Sequence, residues 1–328
     1  MTPVEERVRE RLLGKREQLA EAAEQRREQR LVDLLRRVDG ALASLEVGDW
    51  GICTVCHEPV NEARLEADPL VKVCLECLSA DDRQALERDL EAAARVQRSL
   101  LPPARFRHDG WEVAFLWEPR GAVSGDHVDL LRPHSDTEPL HLLLGDVMGK
   151  GVAASFLQSH LHALFRAVAH PANPGVQLSE LLGRVNELFF ETTAGSSYAS
   201  MVAARLFPDG RVELANAGHP RPLLADARGV RPVEGSGLPL GLFAGAEYSM
   251  RELQLSAGET LLVYTDGFTE AMVGDEEFGV GRAAAALRRA SRLPADELVA
   301  ACRREMDAFL SGTPRGDDLT LLALRRVG

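Results

Sequence analysis

Residues 140–155 read LHLLLGDVMGKGVAAS, and the fold turns on them. The apolar run Leu140–Leu144, bounded by Gly145, has the length and boundary of a buried strand. It delivers a carboxylate, Asp146, to its end, and the small-residue stretch after Gly151 begins a helix. A buried strand that ends on an ionised group places a costly charge at the rim of a sheet. Three other places repeat the setting: Asp126 in VSGDHVD (123–129), Asp266 between LLVYT (261–265) and Gly267, and Asp317-Asp318 before LTLL (319–322). A lone Asp in such a place commonly caps a turn. Several together repel one another unless a cation neutralises them. Oxygen-only ligation selects a hard ion, Mg²⁺ or Mn²⁺.

Around this stretch, short strand-like runs alternate with turn signals at 111–117, 198–207, 211–215, 250–255 and 260–264. Pro208-Asp209-Gly210 forms a tight hairpin turn between two of them. Two helix pairs, near 152–169 with 176–191 and near 278–290 with 295–310, interrupt the strands. Hairpins with clustered helices predict an α+β fold of antiparallel sheets rather than a doubly wound parallel sheet.

Upstream the texture is helical. Residues 4–47 lack proline and are dense in Glu, Arg, Gln, Ala and Leu, which predicts one helix. Leu31, Leu35, Val38, Leu42 and Leu45 fall at the spacing of a coiled-coil seam or a docked helix. A second helix, Asp81–Leu101, has Ser79 as its N-cap and repeats the spacing at Leu86, Leu90, Ala93, Gln97 and Leu100. In a dimeric coiled coil Gln97 would be the polar residue that fixes register; against a packed domain it would face solvent. Pro102 and Pro103 end the helix. The expected division is a helical segment 1–47, a cysteine module 48–80, a linker helix 81–103 and a large domain 104–328.

Between the helices stand Cys53-x2-Cys56 and, after 17 residues, Cys74-x2-Cys77. Four thiolates at this spacing surround one Zn²⁺ and leave no position open for chemistry. The competing readings are two disulfides, which a reducing compartment disfavours, or a pair of redox CxxC motifs. Cys302 reads as a core thiol. The segment GICTVCHEPVNEARLEADPLVKVCLEC (51–77) resembles the DksA/TraR zinc finger. That family binds RNA polymerase, largely through segments outside the finger. With a single helix ahead of Cys53, the expectation is a structural or docking module without a coiled-coil hairpin.

The chain of 328 residues is 45% apolar and 27% charged, the balance of a soluble two-domain protein. No apolar run approaches the roughly 20 residues that span a bilayer, and the charged N-terminus lacks a signal-peptide core. A cytoplasmic location is therefore expected. The net charge is −12, spread over both halves, which makes nucleic acid an unfavourable partner. Only Lys15, Lys72 and Lys150 are lysines; nearly all positive charge is arginine.

Other chemistries fail on their motifs. Gly149-Lys150-Gly151 is no P-loop, since Leu144 stands at the first glycine position and Gly151 where Ser or Thr is required. No G-x-S-x-G elbow is present. His219, in Asn-Ala-Gly-His-Pro, reads as a structural imidazole ahead of a catalytic one.

Eight ordered segments carry a second resemblance: ARVQRSLLPP, SGDHVDLL, LLLGDVMGKGVAAS, ANAGHPRPLL, GLPLGL, LLVYTDGFTEA, FGVGR and DDLTLLAL. Together, over about 92–326, they resemble the SpoIIE/RsbU branch of the PPM (protein phosphatase 2C-like) metal-dependent phosphatases. The resemblance implies an α-β-β-α sandwich of two antiparallel sheets. It implies two Mn²⁺ or Mg²⁺ ions, with Asp146 bridging them and the Val147 carbonyl as a neighbouring ligand. Asp266 and Asp317 would be the remaining ligands, Asp126 would act directly or through water, and Asp129 and Asp318 are further candidates. His127-Val128, where the branch usually has aromatics, and Met148, where Ser is common, depart from the pattern but leave the ligands intact. The activity implied is hydrolysis of phosphoserine or phosphothreonine on an anti-anti-sigma-type regulatory protein, with no Cys or Ser nucleophile. The first 100 residues would form a regulatory module that makes a homodimer through its helices. The competing reading is a DksA-like regulator docking on RNA polymerase, with an inactive phosphatase domain.

Overall fold

A computed structural model describes residues 3–26, 29–133, 138–149, 151–169, 176–193 and 197–328; Lys150 lies outside them. The chain divides into two compact units, 1–89 and 90–328.

In the first unit, α1 (Pro3–Arg26) and α2 (Gln29–Val47) pack against each other. Val8 and Leu12 of α1 share one buried cluster with Val38, Ala41 and Leu45 of α2, and Arg16 pairs with Asp39 at 2.6 Å. This corrects the single helix expected over 4–47. The apolar stripe of α2 finds its partner within the chain, so a helical hairpin does precede the cysteines. The side chain of Leu31, placed in that stripe, lies outside the described residues. After the cysteine loops and the short α3 (Glu62–Ala67) comes α4 (Ala80–Leu100), within which the two units part. Ser79 caps it, its Oγ accepting from the Asp82 N–H at 3.1 Å.

The second unit is a four-layer sandwich. One sheet runs β1 (Arg105–His108), β2 (Trp111–Glu118), β13 (Leu319–Arg326), β10 (Thr260–Tyr264), β7 (Leu223–Asp226), β8 (Gly229–Pro232). The other runs β3 (Asp126–Leu131), β4 (Leu140–Val147), β5 (Ala199–Leu206), β6 (Arg211–Ala217), β9 (Met250–Gln254). Every neighbouring pair is antiparallel. Strand periodicity sorts the side chains between layers. Leu140, Leu142 and Leu144 meet Leu261, Val263, Leu322 and Leu324 between the sheets. Leu143 and Val147 face α5 (Gly151–Val168) and α6 (Leu178–Thr192). Leu262, Tyr264, Leu319 and Leu321 face α8 (Gly279–Ala290) and α9 (Ala295–Leu310). One turn of helix, α7 (Asp266–Thr269), follows β10, and the ribbon of β11 (Met272–Val273) and β12 (Glu276–Glu277) leads into α8. Cys302 is fully buried among the α8–α9 side chains.

The second half of α4 belongs to this unit, and Gln97 is neither a seam residue nor solvent-facing. It is 3% exposed. Its amide accepts from the Ser124 N–H at 3.0 Å and donates to the Ser124 carbonyl at 2.6 Å. Leu86, on the first unit's side, is exposed.

Candidate active site and metal-binding clusters

The strand ends bring the acidic residues to one rim of the sandwich. Asp126 opens β3 directly opposite Asp146 on β4. It is 2% exposed, and its Oδ2 accepts from Thr265 Oγ1 at 3.0 Å and Thr320 Oγ1 at 2.5 Å. Those threonines lie on the opposing sheet's strand ends, next to Asp266 and close to Asp317-Asp318, so one carboxylate ties the sheets together there. Asp318 accepts from the N–H groups of Arg120 (2.6 Å) and Gly125 (2.9 Å), and its own N–H donates to Asp317 at 2.9 Å.

Gly125 marks where the donors converge. A Cβ there would stand 3.0 Å from the Val147 carbonyl oxygen and 3.1 Å from Asp146 Oδ1. Across the rim Gly267 lets α7 approach the last strand, since its Cβ would fall 1.9 Å from the Asp318 carbonyl oxygen. Burial, followed by the charges of Asp146 and Asp318, pushes the Asp126 carboxyl well above the usual range, against the pull of the two threonine hydroxyls. Glu270, which sequence reasoning missed, belongs to the same field. Burial, then the charges of Asp266, Glu277 and Asp317, raise its carboxyl. Its signal was the spacing Asp266-x3-Glu270, one helical turn.

The structure thus gathers Asp126, Asp146, the Val147 carbonyl and Asp318 around Gly125, with Asp266 and Asp317 beside Glu270. An all-oxygen donor set crowded with negative charge fits a hard divalent cation. Asp129 is not among them. It leaves the opposite face of β3, fully buried, and receives Arg166 of α5 through two hydrogen bonds of 2.8 and 2.7 Å. His219 is a structural residue: its Nδ1 meets Ser200 Oγ at 2.7 Å, the Asn216 amide brackets its backbone, and burial pushes its imidazole down to about 3.

In the first unit Cys53, Cys56, Cys74 and Cys77 offer sulfurs all within 4.8 Å of one another, and none is in a disulfide. Backbone N–H groups of Cys56 and Cys74 hold the Cys53 thiol down to about 6, while hydrogen bonding to the Cys74 and Cys56 thiols pushes Cys77 up to about 12. Four sulfurs this close ionise together only around a cation, and the cluster fits a zinc finger.

Residues 136–327, more than half of the chain, match the family model described as Stage II sporulation protein E (SpoIIE). Residues 48–83 match the prokaryotic dksA/traR C4-type zinc finger. Phosphoserine phosphatase RsbU of Bacillus subtilis is 24% identical over 57% of this chain and 55% of its own length. The SiaA-PP2C domain of Pseudomonas aeruginosa superposes with TM-score 0.65 at 20% identity, over 75% of this chain and 99% of that one. The RsbU and RsbW domains of Rv1364c from Mycobacterium tuberculosis superpose with TM-score 0.56 at 31% identity, over 66% of this chain and 60% of that one. The chain spans about half the length of the curated relatives it matches. Among the described residues no helix is long and apolar enough to cross a membrane.

Proposed function

This chain belongs to the SpoIIE family, and we propose that its second unit is a metal-dependent protein serine/threonine phosphatase. The substrate would be phosphoserine or phosphothreonine on a regulatory protein of the anti-anti-sigma type. The observation that carries this reading is the convergence of Asp126, Asp146, Asp318 and the Val147 carbonyl at Gly125, facing Asp266 and Asp317. These residues would hold two Mn²⁺ or Mg²⁺ ions. Such a pair, when bound, activates water for in-line attack on phosphorus and neutralises the leaving oxygen. The protein's own part is positional. Thr265 and Thr320 fix the Asp126 carboxylate; the Gly125 and Arg120 N–H groups fix Asp318; Gly125, lacking a side chain, leaves the space between Asp146 and Val147 free.

The first unit would hold one structural Zn²⁺ on its four cysteines and act as the regulatory input, pairing two chains through exposed helical positions such as Leu86. The hairpin of α1 and α2 ahead of a DksA/TraR-type finger supports a second reading, docking on RNA polymerase, in which phosphatase activity would be absent. Turnover of p-nitrophenyl phosphate with Mn²⁺, followed by release of phosphate from a phosphorylated anti-anti-sigma-type protein, separates the two. The enzyme reading expects both activities. No Mn²⁺-dependent turnover of either substrate would leave the docking reading standing.

A further inference from the structure

Three positions one turn apart on α5, Gln158, His162 and Arg166, lie over His127 and Asp129, which leave the same face of β3. His127 is 1% exposed, Asp129 0% and His162 8%. Nε2 of His127 and Nδ1 of His162 are buried and have no hydrogen-bond partner. The three residues each offer a ligand atom within 4.8 Å of the others. His162 Nδ1 stands 3.3 Å from Asp129 Oδ2, yet makes no hydrogen bond to it. Two ligands on one tetrahedral zinc, with bonds of about 2.0–2.1 Å, sit about 3.4 Å apart. We propose that His127 Nε2, His162 Nδ1 and Asp129 Oδ2 form a site for a zinc-type divalent cation, distinct from the acidic rim and from the cysteines.

The surroundings suit such a site. Arg166 and the Leu130 N–H, which donates to Asp129 Oδ1 at 2.7 Å, orient the carboxylate as outer-shell partners of a ligand do. The guanidinium charge also weakens cation binding, so this site fills after the cysteines. A chain of amides sets a further cost. Ser124 fixes the Gln97 amide, Gln97 Nε2 donates to Gln158 Oε1 at 3.2 Å, and Gln158 Nε2 therefore faces His127 Nδ1 at 2.7 Å. The neutral imidazole then carries its proton on Nε2. Ligation at Nε2 transfers that proton to Nδ1, where Gln158 presents a donor instead of an acceptor. A carboxylate at position 158 would accept from Gln97 and His127 together, forming the carboxylate–histidine–metal arrangement, and would offset the buried positive charge.

The test is zinc content of the full chain after dialysis against excess Mg²⁺, which occupies the acidic rim. Two zinc ions per chain are expected, falling to one in His127→Phe/His162→Leu; a single zinc in the wild type overturns the proposal. Should the histidine variant fail to fold, Zn²⁺ competition with a chromophoric chelator compares the wild type with Gln158→Glu. The variant should bind the second zinc about tenfold more tightly. Equal or weaker binding overturns the site, since a purely structural polar cluster gains no affinity from the added charge.

Discussion

Asp146 and Asp266 differ from ordinary strand-end carboxylates in what surrounds them: other carboxylates, and glycines that leave room between them. Replacing either by Asn removes an anionic ligand while keeping its shape. Asp146→Asn and Asp266→Asn should each lower Mn²⁺-dependent kcat/KM on p-nitrophenyl phosphate by at least about a hundredfold, roughly 2.7 kcal/mol. Undiminished turnover at limiting Mn²⁺ would remove them from the site. Asp126 yields a separate prediction on stability. Its carboxyl is raised in the fold above the unfolded value near 3.9. Its contribution is therefore complete below about pH 4 and is lost as pH rises through the folded pKa. In chelator at neutral pH, Asp126→Asn should melt at a higher temperature than the wild type, with the gap closing as pH falls toward 4. These aspartates were legible from sequence because Asp146 and Asp266 each end an apolar run and Asp126 stands beside Gly125 at a strand end. Glu270 was legible only in part: its spacing from Asp266 is local, but neither its burial nor the nearness of Asp317 is reported by any local spacing. The opposite fate of Asp129 was hidden for the same reason: only the tertiary fold shows that Arg166 reaches it.

At the scale of elements, α4 shows how a periodic stripe can be read correctly and its partner misjudged. Leu90, Ala93, Gln97 and Leu100 do share a half-buried to buried face of α4, and it belongs to the second unit, where Gln97 satisfies both backbone groups of Ser124. Periodicity reports that a face is buried, never what buries it. The stripe of α2 gave the same ambiguity and was resolved by α1. Gln97→Leu would leave the Ser124 N–H and carbonyl unpaired, at about 1–3 kcal/mol each. It should destabilise the second unit by roughly 2–4 kcal/mol in urea unfolding and raise the Mn²⁺ needed for half-maximal activity, since Ser124-Gly125 leads into Asp126. If Gln97 instead sat in a coiled-coil seam, the same apolar change would strengthen self-association and leave the metal requirement alone. Leu86 is a different case. It is 42% exposed, and if it forms the pairing surface, Leu86→Glu should convert dimers to monomers in light scattering.

For the whole molecule, the architecture of the second unit was readable because eight motifs, and strand-like runs set between turn signals, point to one sandwich. The first unit was misread at its hairpin, since residues 4–47 carry no proline and no strong break to announce a turn. The buried clusters keep to their units: Val8 to Leu70 and Cys53 to Cys74 in one, Trp111 to Leu324 and the helix-backed faces in the other. Among the described residues each of these clusters is made within one unit, and shared core residues are what couple domains in unfolding. The cysteine loops between α2 and α4 have only a small apolar cluster of their own, so a metal held by the four thiolates would carry much of their stability. The full chain should therefore unfold in two steps. Cys74→Ser, which removes a buried thiol of the four-cysteine cluster, should abolish the first transition and release zinc. It should leave the second transition within about 0.5 kcal/mol of the wild type, as expected for independent sites. Calorimetry on the wild type and the variant would show it. A single transition that Cys74→Ser shifts as a whole would mean that α4 couples the two units into one cooperative fold, so that loss of zinc would reach the acidic rim through Gln97.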